Sequence, residues 1–251
     1  MDYFHNRWGI KMKRIILMVF RNFIFAVPAW FKLCHYAKHT DEYSEEEKYE
    51  FIRYIVERAN KGGNVELITI GEENIPKENG FIMFPNHQGF YDVLAIVGSC
   101  KKPLSVVFKK EIKDIPFIKQ IAACIKAFAL DREDIKQSMQ VIINVTKEVK
   151  RGRNYIIFPE GTRSKNGNNL LEFKGGSFKA ATKARCPIVP VAIIDSYKAF
   201  DTNSIKPVSV KVIFLPAIPY DVYKDMKTTE IAQEVRNRIE ATIKNYENSL
   251  K

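Results

Sequence analysis

The stretch "NHQGFYD" places His87 five residues before Asp92, and "FPEGTRS" sets Glu160, Gly161, Thr162 and Arg163 in succession. An imidazole titrates near neutrality and can take a proton from an attacking hydroxyl. A carboxylate on its other ring nitrogen would fix the tautomer. Gly161 permits a sharp turn or a close backbone approach, and the planar fork of Arg163 suits a phosphate. Taken singly, His87 is also an ordinary polar residue after a strand, and "EGT" an ordinary turn. The spacing adds a condition. On one regular helix, residues five apart point ~140° away from each other. Contact therefore requires His87 in the loop before a helix, Gly89 turning the chain, and Asp92 in the first helical turn. "FPN" before the pair and "VLAIVGS" after it allow that arrangement.

From residue 65 onward, short β-rich runs alternate with helical ones. The pattern predicts strands over 65–70, 81–85, 104–108, 127–130, 154–158, 188–194 and 208–214. Helices are expected near 91–99, 116–124, 133–150, 173–184 and 228–247. The 133–150 segment shows the helical spacing in Ile135, Met139, Ile142, Val145 and Val149. Such alternation implies an α/β fold, a largely parallel mixed sheet flanked by helices. His87, Lys109, Arg132 and the 160–163 segment each follow a strand, and ligands in these folds bind outside the carboxyl ends of strands.

Composition narrows the partners. Forty Lys and Arg against 29 Asp and Glu give a net charge of +11 over 251 residues, which favours an anionic partner. Cys34, Cys100, Cys124 and Cys186 form no C-x-x-C pair and are expected as buried free thiols, in keeping with a reducing cytosol. The sequence contains no H-E-x-x-H, Walker loop, G-x-G-x-x-G or G-x-S-x-G, which argues against a zinc protease, a nucleotide site and a serine hydrolase. Basic residues interleaved with base-stacking aromatics on a strand are also missing, so nucleic acid is not expected. His5, His35 and His39 lie outside both motifs.

The first forty residues carry more than half of the charge excess. The longest uncharged stretch there, Asn22–Phe31, is ten residues, about half of the ~20 needed to span a bilayer. On a helical wheel Lys11, Arg14, Arg21, Asn22, Lys32, His35 and His39 gather on one side with Pro28. Ile15, Ile16, Val19, Phe20, Phe23, Val27, Trp30, Phe31 and Leu33 fill the rest. That pattern predicts a helix lying in a membrane interface, kinked at Pro28, with packing on the protein's own core as the alternative. A second helix, about Ser44–Asn60, would complete an N-terminal amphipathic two-helix membrane-binding hairpin over residues 1–62, ahead of an α/β domain over 63–251.

The two motifs together resemble the glycerophospholipid acyltransferase family, the lysophosphatidate acyltransferases, in which N-H-x-x-x-x-D pairs with F-P-E-G-T-R-S. "KKEI" (109–112), "AFALDR" (127–132) and "CPIVPVAI" (186–193) fall where that family carries its other blocks. The third block more often reads G-x-x-F-I-x-R, so Ala127 and Leu130 depart from it while Arg132 remains. The resemblance covers about residues 65–215. It implies acyl transfer from an acyl carrier protein or coenzyme A thioester, a co-substrate rather than a resident cofactor, to the sn-2 hydroxyl of a lysophosphatidate. His87 would be the general base and Asp92 its orienting partner. Lys109, Arg132 and Arg163 would hold the phosphate, with Lys110 a weaker claimant, and Thr162 belongs to the same group. Glu160 would contact the glycerol or hold the arginines, and Gly161 would help a backbone N–H reach the oxyanion. No metal is implied. The location implied is peripheral, on anionic lipid at the cytoplasmic face of the membrane. Competing readings are the same chemistry on glycerol 3-phosphate or another lysophospholipid, and a basic membrane- or nucleic-acid-binding protein without catalysis.

Overall fold

The structure, a computed structural model, describes residues 11–249. Seven strands, β1 (Val65–Ile70), β2 (Ile82–Pro85), β3 (Leu104–Lys109), β4 (Phe128–Leu130), β5 (Asn154–Ile156), β6 (Ile188–Ile194) and β7 (Val208–Phe214), form one sheet in the order β1-β7-β6-β2-β5-β3-β4. The five strands from β6 to β4 are mutually parallel. β7 lies antiparallel to β6, and β1 follows β7 in parallel.

Helices cover both faces, which is why β2 and β6 read as unbroken apolar runs. Successive side chains leave a strand on opposite faces. Met83 and Ile193 therefore enter one core, with residues of α1 (Met12–Arg21), α2 (Phe23–Lys38), α3 (Glu45–Gly62), α4 (Asp92–Ser99) and α5 (Ile118–Cys124). Ile82, Phe84, Ile188 and Ala192 enter the other, with α6 (Ile135–Lys150), α7 (Lys179–Ala184), α9 (Tyr220–Tyr223) and α10 (Thr228–Asn248). The one-turn helices α8 (Tyr197–Phe200) and α9 are too short to leave a periodic trace in sequence. Two helices begin on side-chain caps. Ser44 Oγ accepts from Glu47 N–H ahead of α3, and Asp134 accepts from Gln137 N–H ahead of α6.

The N-terminal helices differ from the expected hairpin. The bend between α1 and α2 is 94° and falls at Asn22, not at Pro28. Asn22 does both jobs: its N–H closes onto Met18 and Val19, and its carbonyl accepts from Phe25 and Ala26 to start the next helix. Its amide nitrogen also donates to the carbonyls of Met18 and Arg58. Pro28 sits inside α2, which continues to Lys38.

The cationic stripe also differs. Arg14 is fully buried, donating to the carbonyls of Gly63 and Lys206, and Arg21 reaches the Gly62 carbonyl and Asn64 Oδ1. These arginines therefore satisfy orphan carbonyls at the end of α3 instead of facing headgroups. Leu33, expected on the outer apolar arc, is wholly buried, and Met18 and Leu33 share a continuous core with the sheet. Ile15 packs on that core and Trp30 is half-buried, while Phe20 (78% exposed), Phe23, Val27 and Phe31 point outward with Ile24 (91%) beside them. No single helix is long and apolar enough to cross a membrane among the described residues. Cys100, Cys124 and Cys186 are buried free thiols and Cys34 is half-buried. His5 lies outside the described residues.

Candidate active site

Because β6, β2, β5, β3 and β4 run parallel, the loops after them meet at one edge of the sheet. His87 leaves β2, Lys109 ends β3, Arg132 follows β4, residues 160–163 follow β5, and Ser196 follows β6.

His87 lies in the loop and Asp92 is the first residue of α4. His87 Nδ1 is 2.6 Å from Asp92 Oδ2. The same oxygen accepts the backbone N–H groups of Gln88 (2.6 Å) and Gly89 (3.0 Å), so the loop wraps the carboxylate. Oδ1 accepts from the Ser196 hydroxyl. Asp92 is fully buried, and a carboxylate accepting from all sides is the form matched to these donors. Nδ1 being engaged, Nε2 is the ring nitrogen left for a substrate, and it has no hydrogen-bond partner among the described residues. The ring rests on Phe158, centroids 4.1 Å apart. Gly89 allows a close approach here: an added Cβ would meet Asp201 Oδ2 at 2.1 Å and Tyr197 Cα at 3.1 Å.

Glu160 binds two backbone N–H groups. It is buried, with Oε1 accepting from His87 N–H (2.8 Å) and Oε2 from Leu171 N–H (3.2 Å), so its oxygens tie together two loops rather than arginines. Burial pushes its carboxyl up to about 7, against the pull of those two N–H groups. In Glu160→Gln the amide NH₂ would face one of the two donors. A loss of roughly 1–3 kcal/mol is expected in urea unfolding at neutral pH. The pH dependence has a definite sign. Over the window from 4.5 to about 7 the folded chain holds this proton more tightly than the unfolded chain. The Glu160 contribution is thus full below 4.5 and is lost as pH rises through about 7. The glutamine variant should lack that slope. An unchanged slope would sink the assignment.

Gly161 adopts φ +72°, and its N–H closes a turn onto the Phe158 carbonyl at 3.2 Å. Thr162 is exposed. The Arg163 guanidinium lies 3.9 Å over the Phe90 ring and 3.3 Å from Asp201 Oδ1. Burial pushes Asp201 up to about 6, partly offset by Arg163. Lys109 pairs with Glu111 at 2.7 Å and Lys110 with Asp131 at 3.0 Å, both partly exposed. Arg132 is exposed at the same edge. No group of three or more potential metal ligands occurs among the described residues. A cavity of about 240 Å³ lined by Thr40, Lys48, Lys126 and Arg153 lies away from His87 and contains none of these residues.

Sequence reasoning missed the supports. Asn86 brackets Ile193 through both its N–H and carbonyl (2.7 and 3.0 Å), and Gln88 joins Ile193, Asn168 and Ser196. Gln88 lies inside the quoted motif. Ser196 and Asp201 lie just past β6, where a strand end at this edge was the available signal.

Known proteins resemble this chain in sequence and in fold. A model of the family described as Acyltransferase matches residues 64–194, just over half of the chain. The chain is 30% identical over 141 residues to the 1-acyl-sn-glycerol-3-phosphate acyltransferase of Borreliella burgdorferi, covering 56% of each protein. It is 33% identical over 163 residues to the enzyme of that name from Escherichia coli, covering 64% of this chain and 66% of the relative. The matches thus span about half to two thirds of these relatives' lengths. The crystal structure of the 1-acyl-sn-glycerophosphate (LPA) acyltransferase PlsC from Thermotoga maritima shares the fold, with a TM-score of 0.76 at 22% identity over 94% of this chain and 97% of that one. With the family model covering just over half of it, this chain belongs to the Acyltransferase family.

Proposed function

We propose that the protein transfers a fatty acyl group from a thioester to the sn-2 hydroxyl of 1-acyl-sn-glycerol 3-phosphate, giving phosphatidic acid. The observation that carries this reading is the His87–Asp92 contact, which leaves Nε2 available at an edge that also gathers Lys109, Arg132 and Arg163. Nε2 removes the hydroxyl proton as the oxygen attacks the thioester carbonyl. The tetrahedral intermediate then expels the thiolate, which takes that proton back from the imidazolium. The substrate oxygen is the nucleophile, so no acyl-enzyme forms, and the thioester is a co-substrate. Asp92 holds the Nδ1 proton and balances the transient imidazolium.

Arg163, stacked on Phe90, has a fixed plane from which a guanidinium edge can meet a phosphate. Lys109 and Arg132 supply further positive charge at the same edge. The outward face of α1 and α2 favours peripheral attachment to the cytoplasmic membrane surface, where a lysophospholipid acceptor resides.

The test is acyl transfer from acyl carrier protein and coenzyme A thioesters, in the presence of vesicles. Lysophosphatidate, glycerol 3-phosphate and a lysophospholipid with a larger headgroup serve as acceptors. Phosphatidate formed fastest is the expected result. Faster acylation of another acceptor would move the reading to that substrate. No transfer to any of them would overturn it.

A further inference from the structure

The Asp92 carboxylate draws three of its four donors from its own loop, all on Oδ2. Oδ1 depends on one donor from elsewhere in the chain, the hydroxyl of Ser196 at the end of β6. Both residues are fully buried, and Gln88 between them nearly so. In that setting an oxygen without a donor is costly, because water is not at hand to replace one.

Several contacts fix where the Ser196 proton goes. Gln88 spends its amide nitrogen on the Ile193 carbonyl (2.9 Å) and Asn168 Oδ1 (2.8 Å), so its oxygen faces Ser196. The Ser196 backbone N–H already donates to that oxygen at 3.1 Å. The hydroxyl lies 3.1 Å from it as well, but closer to Asp92. A serine at the start of a helix normally turns its oxygen back onto the helix N–H groups. Ser196 precedes α8 and makes no such side-chain cap. Its hydroxyl is committed to the carboxylate instead.

We infer that Ser196 is a positioning residue for the reaction: its hydroxyl locks the plane of the Asp92 carboxylate so that Oδ2 stays on His87 Nδ1. The inference rests on the reading of His87 as the base. It adds the end of β6 to the dyad, so that a strand separate from the one bearing His87 sets the alignment of the proton acceptor. Without the hydroxyl, the carboxylate can rotate within its three-donor loop and its charge is shared among fewer donors. The imidazolium is then held more tightly and the proton is returned to the leaving thiolate less readily.

The test compares wild type, Ser196→Ala, Ser196→Thr and Ser196→Cys, each checked by thermal unfolding. Ser196→Ala should lower kcat by about 10- to 100-fold, the scale of one lost hydrogen bond to a charged group. KM for both substrates should stay within about twofold, since Ser196 is buried away from them. The acidic limb of the pH–kcat profile should move to higher pH. The charged neighbours Glu160, Arg163 and Asp201 are the same in all variants, so the displacement reports Ser196. Ser196→Thr keeps the hydroxyl and should recover most of kcat, and Ser196→Cys, a weaker donor of similar volume, should fall between.

A direct readout is the low-field proton NMR signal of His87 Nδ1–H, which should shift and broaden in Ser196→Ala. The inference is overturned if Ser196→Ala keeps kcat and the NMR signal of wild type, or if the threonine variant falls as far as the alanine one. If the alanine variant does not fold, an unaltered cysteine variant overturns it equally. Failure of the base assignment would appear separately, as transfer that survives His87→Ala. The NMR signal still decides the Ser196 contact in that case.

Discussion

His87→Ala is expected to lower acyl transfer by about 10²- to 10⁴-fold, the contribution of a positioned general base. Asp92→Asn should cost less, on the order of 10- to 100-fold. The difference follows from the donors around the carboxylate. An asparagine has one acceptor and one NH₂, and the Gln88 and Gly89 N–H groups repel the NH₂ from the Oδ2 position. The amide oxygen is thus held where Oδ2 was, and the NH₂ turns toward Ser196. The Ser196 hydroxyl can accept there and give its proton to Gln88 Oε1. His87 keeps its Nδ1–H tautomer, and Nε2 remains basic. What is lost is the negative charge that balances the imidazolium. A dyad whose carboxylate lacked such backbone donors would let the amide flip, forcing the wrong tautomer at greater cost. Asp92→Ala, which removes orientation as well, should fall between the two. The measurement is kcat for transfer to lysophosphatidate in variants that remain folded. Activity surviving His87→Ala would sink the base assignment. A loss in Asp92→Asn as deep as in His87→Ala would show that the loop does not hold the amide.

Much of this geometry was legible in residue order because it is local. The His87–Asp92 contact needs only a loop, a helix start and a spacing of five. Strands 65–70, 188–194 and 208–214 match the structure residue for residue, since Gly, Pro, Asn or Asp punctuates their ends and "IVPVAII" is also buried on both faces. What remained hidden depends on pairing between distant segments. Ser196 reaches Asp92 from 104 residues away, and only the β2–β6 register brings the two together. Glu160 could not be told from an arginine partner until the His87 and Leu171 N–H groups were seen on its oxygens. The turn at Gly161 was expected from its residue type, but the Phe158 carbonyl that closes it was not. At the N-terminus the wheel treated as one helix what the 94° bend at Asn22 divides into two. It could not show that Arg14 and Arg21 face carbonyls at the end of α3, because periodicity says nothing of what lies opposite a face.

That inward commitment shapes the second large effect. Phe20 and Ile24 lie at the bend between α1 and α2, each mostly exposed, and Phe23 and Phe31 extend the patch. Burying such a side chain in an apolar phase contributes ~1.5–3 kcal/mol. Phe20→Ser with Ile24→Ser should therefore weaken partitioning onto phospholipid vesicles by about 100-fold or more. Thermal stability should stay close to wild type, because neither side chain contributes to the core. Salt separates two modes of attachment. Binding through a cationic stripe would fall steeply with ionic strength, but Arg14 is buried and Arg21 is engaged with Gly62 and Asn64. Vesicle binding by the wild type should thus persist at high salt, with a modest dependence left to exposed residues such as Lys13. The double variant should keep its turnover on a short-chain, water-soluble lysophosphatidate while losing activity on vesicle-bound acceptor, because the dyad is untouched and only access to the surface is lost. Wild-type vesicle binding by the double variant would place the attachment elsewhere on the chain. Equal losses on both acceptors would mean that the bend supports the site itself rather than its approach to lipid.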